Sequence, residues 1–240
     1  MPSAPAILTP PLPSGEIHVW HLAADAGSAA PVAPLLDDDE RDRASRFVFP
    51  RDRDLFVATR GWLRRLLGEY LGERAEGLCF ALGPNGKPAL LGSNPPLHFN
   101  VSHSGTRALL VFAVDREVGA DIERIEDRRE VLDLAPTVFT PHEQAILRAT
   151  PPDDRLAMFY RLWTGKEAYL KACGGGLSIP LQGFSVTPAN DLATTGVTIL
   201  DSSLPSLSVQ WLSAPTGYAT ALAAAGPGWR LRDFHLRDPS

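Results

Sequence analysis

Short alternating runs of apolar and polar residues mark the strands of this chain, and two longer stretches of helical period separate them. Glu16 to Leu22 alternates and predicts a strand. Leu35 to Phe47 opens with acids and continues with arginines, which suits a helix running along its own dipole. From Pro50 to Leu71 the apolar residues Leu55, Phe56, Trp62, Leu63, Leu66 and Leu67 make one face of a longer helix. Leu97, Phe99 and Val101 alternate as a strand that Ser102, His103, Ser104 and Gly105 are expected to break. Arg107 to Val114 is a buried-type strand, and Gly119 to Ile125 is a second strand after a turn. Thr140, Pro141 and Glu143 form a helix start, with a capping box and proline at the first position. That helix runs to about Arg148, and Pro151 and Pro152 end it.

A central helix follows over Phe159 to Cys173. Leu162, Trp163, Tyr169 and Leu170 recur along it, and Gly174, Gly175 and Gly176 stop it. Asp153 or Asp154 is expected to cap it. Gly165 costs about 1 kcal/mol inside a helix relative to alanine, so it points to close approach by a neighbour. Phe184–Thr187, Val197–Leu200, Leu207–Leu212 and Tyr218–Ala223 read as strands, and Trp229–Leu236 as a last edge strand. The order of elements repeats loosely, which predicts an α+β fold of two similar halves with a ligand site between them. The expected division is 1–117 and 118–240.

Composition adds bounds. The 240 residues are 44% hydrophobic and 21% charged, ordinary for a folded domain with a sizeable core. A net charge of −5 offers no global basic field for nucleic acid or a membrane surface. Two cysteines, Cys79 and Cys173, give neither a disulfide framework nor a metal-ligand spacing. With no secretory signal pattern and no apolar run near the roughly 18 residues a membrane span needs, a cytoplasmic protein is expected.

The candidate chemistry sits in four places. Asp121 and Glu123, two apart on a strand, project to one face while Ile122 faces the core. Side-by-side carboxylates repel unless a cation sits between them, and hard oxygen ligands suit Mg²⁺. Glu167 and Lys171, four apart on the central helix, share a face. Lys87 stands at the exit of the Gly83–Pro88 turn. A histidine flanked by serines, as His103 is by Ser102 and Ser104, can donate to phosphate from imidazole and hydroxyl together. Each feature alone has a plain reading as solvated ion pair, surface turn or satisfied histidine.

Together, Gly86-Lys87-Pro88, Phe99 to Gly105, Gly119 to Glu123 and Trp163 to Lys171 resemble, in order and spacing, the Sfp-type 4′-phosphopantetheinyl transferases. The resemblance spans roughly Arg41 to Phe184, and its most specific piece is Trp163 to Lys171. It implies transfer of 4′-phosphopantetheine from coenzyme A to a serine of an apo acyl or peptidyl carrier protein, with release of adenosine 3′,5′-bisphosphate. It implies that Asp121, Glu123 and Glu167 hold Mg²⁺, with Mn²⁺ also suited to oxygen ligands. Glu167, directly or through water, takes the serine proton, and Lys171 neutralises or protonates the leaving phosphate. Ser102 and His103 then contact phosphate and Lys87 lies near the nucleotide. Arg43 and Arg60 are the candidates for the 3′-phosphate and pyrophosphate. Lys166 matches the pattern but points about 100° from Glu167, so it is equally placed to face solvent. A fused pair of halves has made its interface within one chain, so a monomer is expected. The rival expectations are a Mg²⁺-dependent phosphoesterase and a non-catalytic homologue that binds coenzyme A or a carrier protein.

Overall fold

The computed structural model describes residues 9–24, 27–83, 86–92, 96–126, 131–174, 179–188, 195–199, 201, 203–226 and 228–236. In chain order the elements are β1 (Glu16–Ala23), α1 (Asp38–Ser45), α2 (Pro50–Leu71), β2 (Phe80–Leu82), β3 (Pro88–Leu90), β4 (His98–Ser104), β5 (Arg107–Ala113) and β6 (Val118–Arg124). There follow α3 (Ala135–Val138), α4 (Pro141–Ala149), α5 (Arg155–Cys173), β7 (Phe184–Pro188), β8 (Thr195–Ile199), β9 (Leu207–Trp211), β10 (Tyr218–Ala225) and β11 (Arg230–Leu236). The fold is α+β.

Two sheets dominate. The first has the order β11-β1-β5-β4, and the second has the order β6-β10-β9. Their inner faces meet through Ile17, Val19, Leu109 and Val111 on one side and Val118, Ala120, Ile122 and Leu222 on the other. Helix α2 covers the outer face of the first sheet with Leu63, Leu66 and Leu67 against Trp20, Leu110 and Phe112. Helix α5 covers the second with Leu162, Tyr169 and Leu170 among Val209, Trp211, Ala221 and Ala223. Each buried side chain of this kind contributes about 1.5–3 kcal/mol of transfer free energy. The helix–sheet unit therefore occurs twice.

Several local expectations need correction. Strand β4 continues through Ser102 and His103 to Ser104, and the chain turns only at Gly105. Serine and histidine do not break the strand, because β5 pairs with β4 as far as Ser104↔Arg107. Helix α5 starts at Arg155 on Asp154, whose side chain makes no capping bond. The capping aspartate lies earlier: Asp37 and Glu40 form a reciprocal box at the start of α1. The box expected at Thr140 and Glu143 is present. The last strand, expected as an edge strand, is one, and it pairs in parallel with β1. The C-terminal residues thus complete the sheet of the N-terminal half. Gly175, Gly176 and the Asn85 turn position lie outside the described residues.

Candidate active site

Two glycines decide how closely helix α5 approaches its sheet. At Gly119 a β-carbon would lie 2.2 Å from Ala172 N and 2.3 Å from Ala168 O, so the backbone of α5 rests directly on β6. At Gly165 a β-carbon would lie 2.7 Å from Trp211 Cζ2, the close approach expected for it. The helix ends on Gly174, whose φ of 64° is left-handed geometry that glycine adopts without steric cost. Contact at Gly119 brings the last turns of α5 alongside Asp121, two residues further along the strand.

Lys171 Nζ lies 2.6 Å from Asp121 Oδ1 and 2.9 Å from Ser102 Oγ. Ser102 donates to Asp121 Oδ1 at 2.8 Å, and Ser104 donates to Glu123 Oε2 at 2.7 Å. Asp121 is 2% exposed, and its Oδ2 is buried with no hydrogen-bond partner among the described residues. Buried carboxylate oxygens are rarely left so. Glu167 is half-buried on the same face of α5 as Lys171. Burial and the negative charge of Asp121 push Glu167 above the ordinary carboxylate range, against the pull of Lys171. Burial likewise pushes Glu123 up, with Asp121 adding to it and the Ser104 hydrogen bond opposing it.

Three carboxylates therefore act on one another across the junction of β6 and α5. Among the described residues no three His, Cys, Asp or Glu side chains stand together as a ready ligand set. The donor chemistry nonetheless fits a hard divalent cation. The orphaned Asp121 Oδ2 and the mutual repulsion are what a cation would relieve, and the Lys171 ammonium already answers the other Asp121 oxygen.

The remaining predicted residues divide into two groups. His103 is exposed beside this cluster. Desolvation by the surrounding protein, then the positive charges of Lys171 and Arg43, hold it below its ordinary value. Its ring is open to solvent, so the neighbouring cations are the firmer cause. Arg43 is exposed and stacks over the Phe56 ring at 5.1 Å. Lys87 lies further off, 2.7 Å from Glu117 Oε2 and 3.1 Å from Val118 O. It lines a cleft of about 490 Å³ with Pro88, Phe99, Glu117, Cys173 and Gly174. Arg60 does not stand free toward this cleft. Its guanidinium is bound by Glu40, the glutamate of the α1 capping box, which also takes Arg64. A larger cavity of about 630 Å³, lined by His21, Arg107, Asp233 and His235, contains none of the predicted residues.

Lys166 does not face solvent. It is fully buried, with Nζ 2.9 Å from both oxygens of Glu143 and 2.7 Å from the Phe184 carbonyl. Glu143 in turn accepts from Thr140 N and Val186 N. This ion pair ties α4, α5 and β7 together one residue from Glu167. Sequence reasoning saw Glu143 only as a capping residue. The Lys166 position on the apolar side of α5, turned about 100° from Glu167, was the available signal.

Sequence profiles of known families match both halves. The profile of the 4′-phosphopantetheinyl transferase superfamily covers residues 117–223, and that of a 4′-phosphopantetheinyl transferase N-terminal region covers residues 26–115. The chain is 35% identical over 227 residues to the 4′-phosphopantetheinyl transferase HetI of Nostoc sp., covering 92% of this chain and 93% of that protein. This chain belongs to the 4′-phosphopantetheinyl transferase superfamily. The transferase is also 30% identical over 204 residues to Sfp of Bacillus subtilis, covering 80% of this chain and 88% of that protein. It is 34% identical over 168 residues to the L-aminoadipate-semialdehyde dehydrogenase-phosphopantetheinyl transferase of Xenopus laevis, covering 65% of this chain and 56% of that protein. Among its described residues no helix is long and apolar enough to cross a membrane.

Proposed function

We propose that this transferase moves 4′-phosphopantetheine from coenzyme A to a serine hydroxyl of an apo acyl or peptidyl carrier protein, releases adenosine 3′,5′-bisphosphate and depends on Mg²⁺. The observation that carries the reading is the buried Asp121, whose Oδ2 has no partner among the described residues and whose charge acts on both Glu123 and Glu167 at the α5–β6 contact. Asp121, Glu123 and Glu167 are the residues that would hold Mg²⁺. When bound, the ion supplies charge neutralisation at the pyrophosphate.

The residues of the chain account for the rest. Phosphoryl transfer needs positioning and neutralisation more than covalent help. Glu167, directly or through a water, is the group that takes the serine proton. Lys171, held against Asp121 and Ser102, places an ammonium at the leaving phosphate. His103 and Arg43 meet phosphate beside it; Ser102, whose proton goes to Asp121, reaches phosphate only by turning its hydroxyl away from that carboxylate. Lys87 and its cleft receive the nucleotide. Arg60, paired with Glu40, is the second arginine for a phosphate. In this reading residues 1–117 bind coenzyme A, residues 118–240 bring the metal ligands and the catalytic helix, and the protein works as a cytoplasmic monomer.

Intact-mass measurement of an apo carrier protein with coenzyme A, Mg²⁺ and the transferase tests the reading. A gain of one phosphopantetheine that disappears with Glu167→Ala is expected. No gain with fatty-acid, polyketide and peptide carriers, from a folded protein that binds coenzyme A, would overturn it.

A further inference from the structure

Strands β4 and β6 are edge strands of different sheets, yet side chains join them with a regular two-residue period. Asn100 Oδ1 accepts from Ala120 N at 2.9 Å, Ser102 Oγ from Ile122 N at 3.3 Å and Ser104 Oγ from Arg124 N at 3.1 Å. Successive residues of a strand face opposite sides, so 100, 102 and 104 share one face. A one-residue slip would replace this ladder with Val101 and His103. The ladder satisfies the N–H groups of β6 that no strand takes, and it sets the register between the two halves.

Two rungs do more. A hydroxyl has a single proton. Ser102 gives its proton to Asp121, and Ser104 gives its proton to Glu123. Each serine thus clamps a carboxylate and the N–H of the next residue at once. Asp121 has a second grip from Lys171. The hydrogen bond that fixes Glu123 comes from Ser104, on a strand of the other half. Asn100 holds the seam and touches neither carboxylate, which separates the two duties within one ladder.

We propose that Ser104 is a positioning residue for Glu123: it fixes one carboxylate oxygen so that the other is presented to the cation. The inference rests on the metal-dependent reading above. Outer-shell partners of this kind commonly govern metal affinity by about 10–100-fold.

The test is titration of the protein with Mn²⁺ alone, with free Mn²⁺ followed by electron paramagnetic resonance, beside the Mg²⁺ dependence of carrier modification. Ser104→Ala is expected to weaken Mn²⁺ binding by about tenfold or more. It should raise the Mg²⁺ concentration for half-maximal rate while the rate at saturating Mg²⁺ stays near that of the unaltered protein. Ser104→Thr, which keeps the hydroxyl, should bind Mn²⁺ as the unaltered protein does. Asn100→Ala should lower the melting temperature and leave Mn²⁺ affinity within about twofold. Should Ser104→Ala fail to fold, Ser104→Cys keeps the volume, weakens the donor and should show the same loss. Equal Mn²⁺ affinity in Ser104→Ala and the unaltered protein overturns the proposal, as does an equal loss in Asn100→Ala, which would make the ladder purely a fastening. Absence of Mn²⁺ binding by the unaltered protein would overturn both this proposal and the metal reading, whereas absence of transfer with Mn²⁺ binding intact would overturn the transfer reading alone.

Discussion

Gly119 and Ala172 are so close that a side chain cannot fit between them: a β-carbon at 119 would fall 2.2 Å from the Ala172 nitrogen. The atoms it would strike are backbone, so the helix and not a rotamer has to move. Gly119→Ala is expected to destabilise the protein by about 1–3 kcal/mol, the usual cost of overpacking. Turnover should fall by a larger factor than stability predicts, because lifting α5 carries Lys171 and Glu167 away from Asp121. Urea unfolding and the initial transfer rate, measured on the same preparation, check this. Full activity with normal stability would show that the α5–β6 spacing is not what sets the site.

Lys171 sets its ammonium against the Asp121–Ser102 pair. Lys171→Ala leaves a carboxylate that is 2% exposed without its ion-pair partner. Loss of a positioned proton donor commonly costs 10²–10⁴-fold in rate, so a fall of about 10²-fold or more is expected. The free variant should also melt lower than the parent, and Mg²⁺ should restore more of its stability than of its turnover. Calorimetry with and without Mg²⁺ separates the two. A variant that regains full turnover at high Mg²⁺ would reduce Lys171 to a counter-ion.

Much of this site could be read from the chain before any coordinates, and the reason is local. Asp121 with Glu123, and Glu167 with Lys171, are fixed relative to each other by the period of one strand and one helix, which sequence states directly. The extent of α2 was legible because its apolar period is unbroken and Pro50 opens it. The partners were not legible, because they are set by tertiary contact. Arg60 looked like a phosphate ligand, but Glu40, twenty residues earlier, holds it. Lys166 looked undecided until Glu143 met it from another helix. The Asn100, Ser102 and Ser104 pattern did carry a signal: three polar residues on one face of an otherwise apolar strand require partners. What they bond to depends on a neighbouring sheet, and no local rule names it.

The Lys166–Glu143 pair makes a separate prediction. Both side chains are fully buried, and the ammonium meets three acceptors at hydrogen-bond distance and lies 4.3 Å from the centre of the Phe184 ring. Burial draws Lys166 below its ordinary value, and Glu143 acts against that. Lys166→Met leaves Glu143 buried and uncompensated, for which about 3–5 kcal/mol of destabilisation is expected. Lys166→Met combined with Glu143→Gln should recover part of that loss, since no charge is then stranded. Denaturant unfolding of both variants measures the difference. Equal losses in the two would mean that packing, and not the charge, is what the pair contributes.

His103 gives the pH dependence. Its folded value lies below the ordinary 6.5, through desolvation and, more firmly for a ring open to solvent, through the charges of Lys171 and Arg43. It is therefore neutral at neutral pH. For a group with a depressed folded value, the stability it contributes is present above 6.5 and is lost as pH falls through the folded value. A phosphate placed beside the ring opposes this, because it favours the imidazolium. Protection of the protein by coenzyme A against thermal unfolding should therefore grow as pH drops from about 7.5 to about 6. Titration of the ligand's own phosphate works in the other direction and is common to the parent and the variant. The quantity to measure is thus the difference in melting-temperature shift between the parent and His103→Ala, both saturated with coenzyme A, across that range. A difference that widens toward low pH places His103 at a phosphate. A difference that stays flat would remove His103 from the phosphate contacts and leave Arg43 and Lys171 as the cations there.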